Sequence, residues 1–437
     1  MILDERLRWM GFWMLDKMKG GKTREYYDQI RYAWKEGSSV EETEKRIQNL
    51  IAHAVKTTDF YKDYPETCSL EDLPVVNKDT FRQQYDRFVS STYKDAPDNR
   101  VMCTSGSTGT PLRMIQNRDK IRHNTAGGIF LGAAAGYYIG MKEAFIRVWV
   151  NNVRKSKFQL LQENLIMMDS SRMDEKALEE MFHVIEKKKV KCLVGYSSAL
   201  GELSEYIRKT GRDISRWSVE MVFSMGEALP QETYDLTKEL FGFSPVRSYG
   251  NNENGFIAIQ LDEDPEYTVD LYNFYPEILK LDSDEPAEPG ELGRIVVTDY
   301  YNKTFPMVRY DTGDTGKMRV YYDKNGRVHA KYTEIYGRRG SLMYNTKGEP
   351  LSIHVFMNTL LKFEGTVYQA KCIQWGEKDY ELLVNADRSR LDETELLAAY
   401  RHYLGEDAEL RITYVDQIPI QASGKFMVCE NKWDGRK

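Results

Sequence analysis

The sequence is poor in residues for soft-metal or thiol chemistry. Its five cysteines, Cys68, Cys103, Cys192, Cys372 and Cys429, are scattered and never form a CxxC pair, and the whole chain of 437 residues holds only six histidines. Those spacings exclude a zinc cage, and they argue for a reducing, cytoplasmic setting. Excess positive charge is also missing. Lys plus Arg at 61 against Asp plus Glu at 67 leave a net charge of −6, which excludes a broad surface for gathering nucleic acid. Long apolar runs are absent too: the longest uncharged stretch, Asn124 to Met141, falls short of the roughly 20 apolar residues that a membrane span needs. Asp4, Glu5, Arg6 and Arg8 interrupt what would have to be an apolar signal core, so no secretory leader is expected. No fixed-period repeat or low-complexity tract is visible, which removes solenoids and propellers.

What is present is a globular composition, 41% hydrophobic and 29% charged, on a chain longer than one core of roughly 250 to 300 residues usually organises. More than one domain is expected. Ile47, Leu50, Ile51 and Val55 mark one helical stripe, and residues 174–190 mark another. Helix and strand then alternate through the strand opening at Cys192, a helix from Ser198 to Gly211, a strand and turn from Val219 to Leu229, and a helix entered through Pro230. Such alternation predicts an α/β domain with mostly parallel sheets and a ligand crevice at the carboxyl ends of its strands. Past Leu271, short strands broken by Pro and Gly predict a β-rich subdomain. The last hundred or so residues carry their own strands and helix, as a small α+β domain would. The expected division is 1–337 and 338–437. Gly127, Gly128, Gly132, Gly136 and Gly140 predict one close-packed buried helix through the uncharged stretch. Ile2, Leu3, Leu7, Met10, Met14 and Met18 predict an N-terminal helix packed on its own domain, with a membrane surface or assembly partner as the alternative use of that face.

Four strings carry candidate chemistry. The loop Thr104–Pro111, TSGSTGTP, contains Gly106 and Gly109, which let successive N–H groups converge on phosphate, and Ser105, Ser107, Thr108 and Thr110, which add hydroxyls. It is not a Walker loop. YGNNE ends in Glu253, RYDTGDTG carries Asp314 on a glycine-flanked turn, and QASGKF carries Lys425 near the end of the chain. Singly, each has a bland alternative: a flexible connection, a self-bonded turn or a solvated lysine.

In this order the four strings resemble the adenylate-forming superfamily, and within it the phenylacetate-CoA ligase branch, especially its CapK-like members associated with capsular polysaccharide biosynthesis. RIQNLIAHAVKTTDFYKDY, LPVVNKDTFR, GYSSALGELSEYI and IPIQASGKF extend the likeness along nearly the whole chain. The resemblance implies a large N-terminal α/β domain, a hinge and a small mobile C-terminal domain. The implied chemistry is ATP-dependent activation of a small carboxylic acid as acyl-AMP, with release of pyrophosphate and then acyl transfer to CoA, an amine or a sugar hydroxyl.

It further implies that Thr104 to Gly109 hold the outer phosphates and that Thr108 and Glu253 hold Mg²⁺. Gly226, Glu227, Ala228, Tyr249, Gly250 and Asn251 would surround the adenine, with Tyr249 stacked on it. Asp314 and Arg338 would hold the ribose, and Lys425 would bridge the acid and the α-phosphate. Tyr196, Ser197, Ser224, Met225, Asn252 and Phe256 are the candidate acyl-pocket residues. The chain departs from the pattern where Leu112 follows the loop proline in place of a basic residue, with Arg113 next, and where Arg339, Gly340 and Ser341 replace the usual acidic hinge pair. Those departures leave one alternative, a catalytically idle nucleotide-binding subunit of a polysaccharide-assembly complex.

Overall fold

The computed structural model describes residues 3–103, 112–149, 154–171, 173–261, 264–338, 342–351, 355–356, 359–360, 362–363, 366–418 and 427–433. The candidate phosphate loop Thr104–Pro111, Lys425 and the Arg339–Ser341 segment lie outside the described residues.

Three helices open the chain: α1 (Leu3–Met18), α2 (Lys22–Glu36) and α3 (Val40–Thr57), the last started by the Ser39 side chain, which accepts from the Glu42 N–H. Two short helices, α4 (Lys78–Gln83) and α5 (Tyr85–Phe88), precede the hairpin β1 (Arg100–Cys103) and β2 (Arg113–Gln116). Cys103 pairs with Arg113 in that hairpin, so the phosphate-loop sequence connects its two strands. After α6 (Arg118–Ala134) the chain alternates: β3 (Glu143–Arg147), α7 (Lys157–Glu163), β4 (Leu165–Asp169), α8 (Glu175–Lys188), β5 (Cys192–Tyr196), α9 (Ser197–Thr210), β6 (Met221–Met225), α10 (Gln231–Phe241) and β7 (Val246–Asn251).

Strands β3 to β7 are parallel to their neighbours. Beyond β7 the pairing becomes antiparallel through β8 (Gly255–Gln260), β9 (Tyr267–Val269), β10 (Phe274–Leu279), β11 (Gly293–Asp299), β12 (Tyr310–Tyr322) and β13 (Val328–Arg338). Among the described residues all eleven form one sheet, ordered β10-β11-β12-β13-β9-β8-β7-β6-β5-β3-β4. The β-rich stretch therefore continues the parallel sheet, and the change of direction falls at the β7–β8 turn.

Alternation along the parallel strands sends side chains to opposite faces. Leu193 and Val222 join Leu178, Phe182 and Leu203 of α8 and α9 on one face, while Cys192, Met221 and Phe223 join Ile30, Ala126 and Phe130 of α2 and α6 on the other. A third core, including Ile51, Phe81, Phe88, Met114, Phe305 and Tyr310, locks α3, α4 and the hairpin onto the entry to β12.

The C-terminal part has a core of its own, with Phe356, Cys372, Leu382, Leu396 and Tyr400. It contains β14 (Met343–Tyr344), β15 (Pro350–Leu351), β16 (Val367–Gln374), β17 (Asp379–Ala386), the helix α11 (Glu393–Leu404) capped by Asp392, β18 (Glu409–Tyr414) and β19 (Cys429–Asn431). Its four-stranded sheet runs β18-β17-β16-β19.

Two sequence expectations change. The glycine-rich stretch is helical only to Ala134, because Gly136 and Gly140 adopt φ of 99° and 91°, which ends a right-handed helix. On α1, the predicted apolar stripe faces outward: Leu7, Met10, Met14 and Met18 are exposed, Met18 at 76%. The buried side is held instead by Glu5, which accepts from the Tyr138 hydroxyl at 2.8 Å and pairs with Lys191 at 3.3 Å. None of the described helices is long and apolar enough to cross a membrane.

Candidate active site

The carboxyl ends of β5, β6 and β7 meet on one edge, with Tyr196 in register with Met225. Here the polar groups satisfy one another. Ser197 Oγ lies 2.5 Å from Ser224 Oγ and donates to the Glu227 carbonyl at 2.8 Å, while Ser248 donates to the Ser224 carbonyl at 2.9 Å. The Glu227 carboxylate accepts from the Ser198 N–H at 3.1 Å and its hydroxyl at 2.7 Å. An anion at the first turn of α9 is stabilised by the unpaired amides there. Gly226 holds φ 77° in this turn, a left-handed conformation that glycine accepts without strain. Both Ser197 and Ser224 are buried, so their hydroxyls are engaged before any substrate arrives.

At the β7–β8 turn the arrangement differs. Gly250 is required by contact, since a Cβ there would lie 2.3 Å from the Gly255 carbonyl oxygen. Asn251 Oδ1 accepts from the Asn254 N–H at 2.8 Å, Asn252 is exposed, and Phe256 packs edge-on against Phe223 at 5.6 Å. Glu253 is 1% exposed. Its Oε1 takes the Lys78 ammonium at 2.6 Å and the Tyr310 hydroxyl at 3.2 Å, and its carbonyl accepts from Gln116 Nε2 at 3.1 Å. Gln116 belongs to β2, so the strand leaving the phosphate loop is tied directly to the Glu253 turn. Lys78 was not picked out from the sequence. Its partner is remote along the chain, and a lysine at the start of a helix looks like any solvated charge.

The third group sits where β12 pairs with β13. Asp314 is in register with Arg338, whose Nε lies 3.4 Å from Asp314 Oδ1 and whose Nη1 donates to the Thr312 carbonyl at 2.7 Å. Gly313, at φ 79°, makes the bend between them. Tyr249 donates to Asp314 Oδ2 at 3.0 Å, and its ring packs edge-on against Tyr332 at 5.6 Å. Burial, followed by the Asp314 charge, pushes the Tyr249 phenol well up; Asp314 first, then Tyr310 and Glu253, raise the Arg338 guanidinium. Tyr310, bonded to Glu253, and Asp314, bonded to Tyr249 and paired with Arg338, lie on the same strand β12, so the five side chains are linked across β7, β12 and β13.

Glu253 is the buried carboxylate that the resemblance assigns to a hard divalent cation. Among the described residues no cluster of three or more His, Cys, Asp or Glu could hold a metal alone. A single buried carboxylate fits Mg²⁺ in the mode where phosphates supply most of the remaining oxygens. Leu112 is buried and Arg113 exposed at the exit of the loop.

No family model matches the chain. It is 20% identical over 431 residues to Protein CapK of Staphylococcus aureus, covering 93% of this chain and 92% of that protein. It is 21% identical over 376 residues to a phenylacetate-coenzyme A ligase of Thermus thermophilus, covering 75% of this chain and 79% of that one. Among solved structures, a 2-hydroxyisobutyryl-CoA ligase in the postadenylation state superposes with a TM-score of 0.69 at 16% identity, over 90% of this chain and 89% of that one. That likeness establishes the shared fold.

Proposed function

We infer that this chain, a member of the adenylate-forming superfamily on its CapK-like branch, activates a small carboxylic acid with ATP and transfers the acyl group to CoA. The observation that carries this reading is the linkage of Glu253 to Tyr310 and of Asp314 to Tyr249 and Arg338 across β7, β12 and β13, with Gln116, on the strand after residues 104–111, bonded to the Glu253 carbonyl.

In the first half-reaction an acid oxygen forms a bond to the α-phosphorus, and the bond to the β-phosphate oxygen breaks, giving acyl-AMP and pyrophosphate. A carboxylate is already ionised at neutral pH, so positioning and charge stabilisation suffice without a general base. Asp314, with each oxygen already oriented by Tyr249 or Arg338, accepts from the ribose hydroxyls. Mg²⁺, held by Glu253 and Thr108, would neutralise phosphate charge. Thr104, Ser105, Gly106, Ser107 and Gly109 enclose the phosphates, and Lys425 supports the charge developing between acid and α-phosphate. In the second half-reaction the CoA thiol gives its proton to solvent, its sulfur bonds to the acyl carbon, and the bond from that carbon to the AMP oxygen breaks, giving the thioester and AMP. Residues 338–437 act as the lid that changes between the two steps.

The 226–228 turn and Asn251 flank the adenine. Tyr196, Met225 and Phe256, with Asn252 at the rim, line the acyl side, and the Ser197–Ser224 pair fixes its floor. ATP and CoA as substrates imply cytoplasmic work, and the CapK-like resemblance points to capsular polysaccharide biosynthesis. The outward stripe of α1 offers a face to a membrane or an assembly partner; liposome flotation with and without residues 1–19 tests it. The central test is product analysis. Acid-dependent formation of AMP with one of a panel of small acids, and of its thioester once CoA is added, is expected. ATP binding without AMP formation for every acid would instead support an idle subunit.

A further inference from the structure

The outer phosphates of ATP lack a basic residue directly after the loop proline, where Leu112 is buried in the core. A cation reaches the same corner from elsewhere. Lys78 Nζ lies 2.6 Å from Glu253 Oε1, and its side chain keeps 18% exposure while the carboxylate keeps 1%. The segment that delivers it is firmly anchored. Val76 forms a parallel bridge to Tyr310, donating to the Arg309 carbonyl at 3.0 Å and accepting from the Asp311 N–H at 2.7 Å. Arg309 Nη1 donates to the Leu73 carbonyl at 3.1 Å. Asn77 Oδ1 accepts from the Asp79 and Thr80 N–H groups, and Phe81 stacks on Tyr310 at 5.4 Å. The backbone at Lys78 is thus built into the entry to β12, while the lysine side chain keeps partial exposure.

A buried carboxylate without a counter-charge is strongly destabilising. In the nucleotide-free protein, Lys78 is that counter-charge. A lysine ammonium is also a compact point charge with three rotatable donors, suited to phosphate oxygens. We propose that Lys78 is an exchanging phosphate cation: it neutralises Glu253 until ATP and a divalent cation arrive, then turns to the β- and γ-phosphates. It thereby replaces the basic residue missing from the loop. This inference rests on the adenylate-forming reading and adds a residue to it.

The exchange predicts selectivity that a purely structural lysine would not produce. Calorimetric titration of Lys78→Met with ATP, pyrophosphate and AMP should show ATP and pyrophosphate binding weakened about tenfold or more, equivalent to ~1.4 kcal/mol, with AMP binding within about twofold of the parent. Consumption of supplied acyl-AMP by CoA should fall less than ATP binding does, because no β- or γ-phosphate takes part. If Lys78→Met does not fold, Glu253→Gln and the double variant Lys78→Met/Glu253→Gln remove the uncompensated charge, and the double variant should bind ATP about tenfold more weakly than Glu253→Gln alone. Unchanged ATP affinity, or equal weakening of ATP and AMP, overturns the assignment. Failure of the unmodified protein to bind ATP would overturn the adenylate-forming reading instead, so the two failures are distinguishable.

Discussion

Two turns on the same sheet edge use their polar groups in opposite ways. At the ends of β5 and β6, the Ser197, Ser198, Ser224 and Glu227 side chains bond to one another and to backbone, leaving a satisfied wall. After β7, and across to β12 and β13, Glu253, Asp314, Lys78 and Arg338 form ion pairs that a nucleotide could rearrange. The difference separates scaffold from chemistry. A hydrogen-bonded network that closes on itself fixes shape, whereas ion pairs whose cationic partners keep some exposure can exchange with a charged ligand.

The largest blow to that division should come from Asp314→Ala, which removes the proposed ribose acceptor and is expected to lower pyrophosphate exchange by about 10² to 10³ while the protein stays folded by circular dichroism. A loss below about tenfold would put Asp314 on the structural side. Ser224→Ala should do the reverse. It removes one of the two hydrogen bonds of the buried Ser197 hydroxyl, which keeps the Glu227 carbonyl, and should lower unfolding stability by about 0.5 to 1.5 kcal/mol, measured by denaturant titration, with the KM for ATP unchanged. A raised KM with unchanged stability would move that serine into the ligand site.

Tyr249→Phe sharpens the comparison, because it removes one hydrogen bond from Asp314 and leaves the ring on Tyr332. An increase of about five- to tenfold in the KM for ATP is expected from a loss of ~1 to 1.5 kcal/mol. The smallest effect belongs to Met14→Lys on the outward stripe of α1. Stability should change by no more than about 0.5 kcal/mol, and a larger loss would mean that the exposed face packs against something.

Regular elements were legible where periodicity met a cap or a breaker. The apolar stripe of α3 after Ser39, α8 after Asp174, and the strand-to-turn run from Cys192 all emerge from spacing alone. Spacing does not say which side of a helix packs. On α1 the apolar stripe faces outward because Glu5 finds Tyr138 and Lys191, partners far away in sequence. In the glycine-rich run, composition suggested one helix, whereas positive φ at Gly136 and Gly140 ends it at Ala134. Glu253, Asp314 and Arg338 came from motif order; in the structure Glu253 bonds to Tyr310, and Asp314, on the same strand as Tyr310, pairs with Arg338. Lys78 stayed hidden because its significance lies in a tertiary contact with Glu253, which no local pattern encodes.

Exchange of labelled pyrophosphate into ATP tests the central claim most directly, because it reports reversible acyl-AMP formation and needs no acceptor. Label should enter ATP only when a suitable small carboxylic acid is present, and Asp314→Ala should abolish nearly all of it. Exchange that is absent with every acid, from folded protein that binds ATP, would contradict the account.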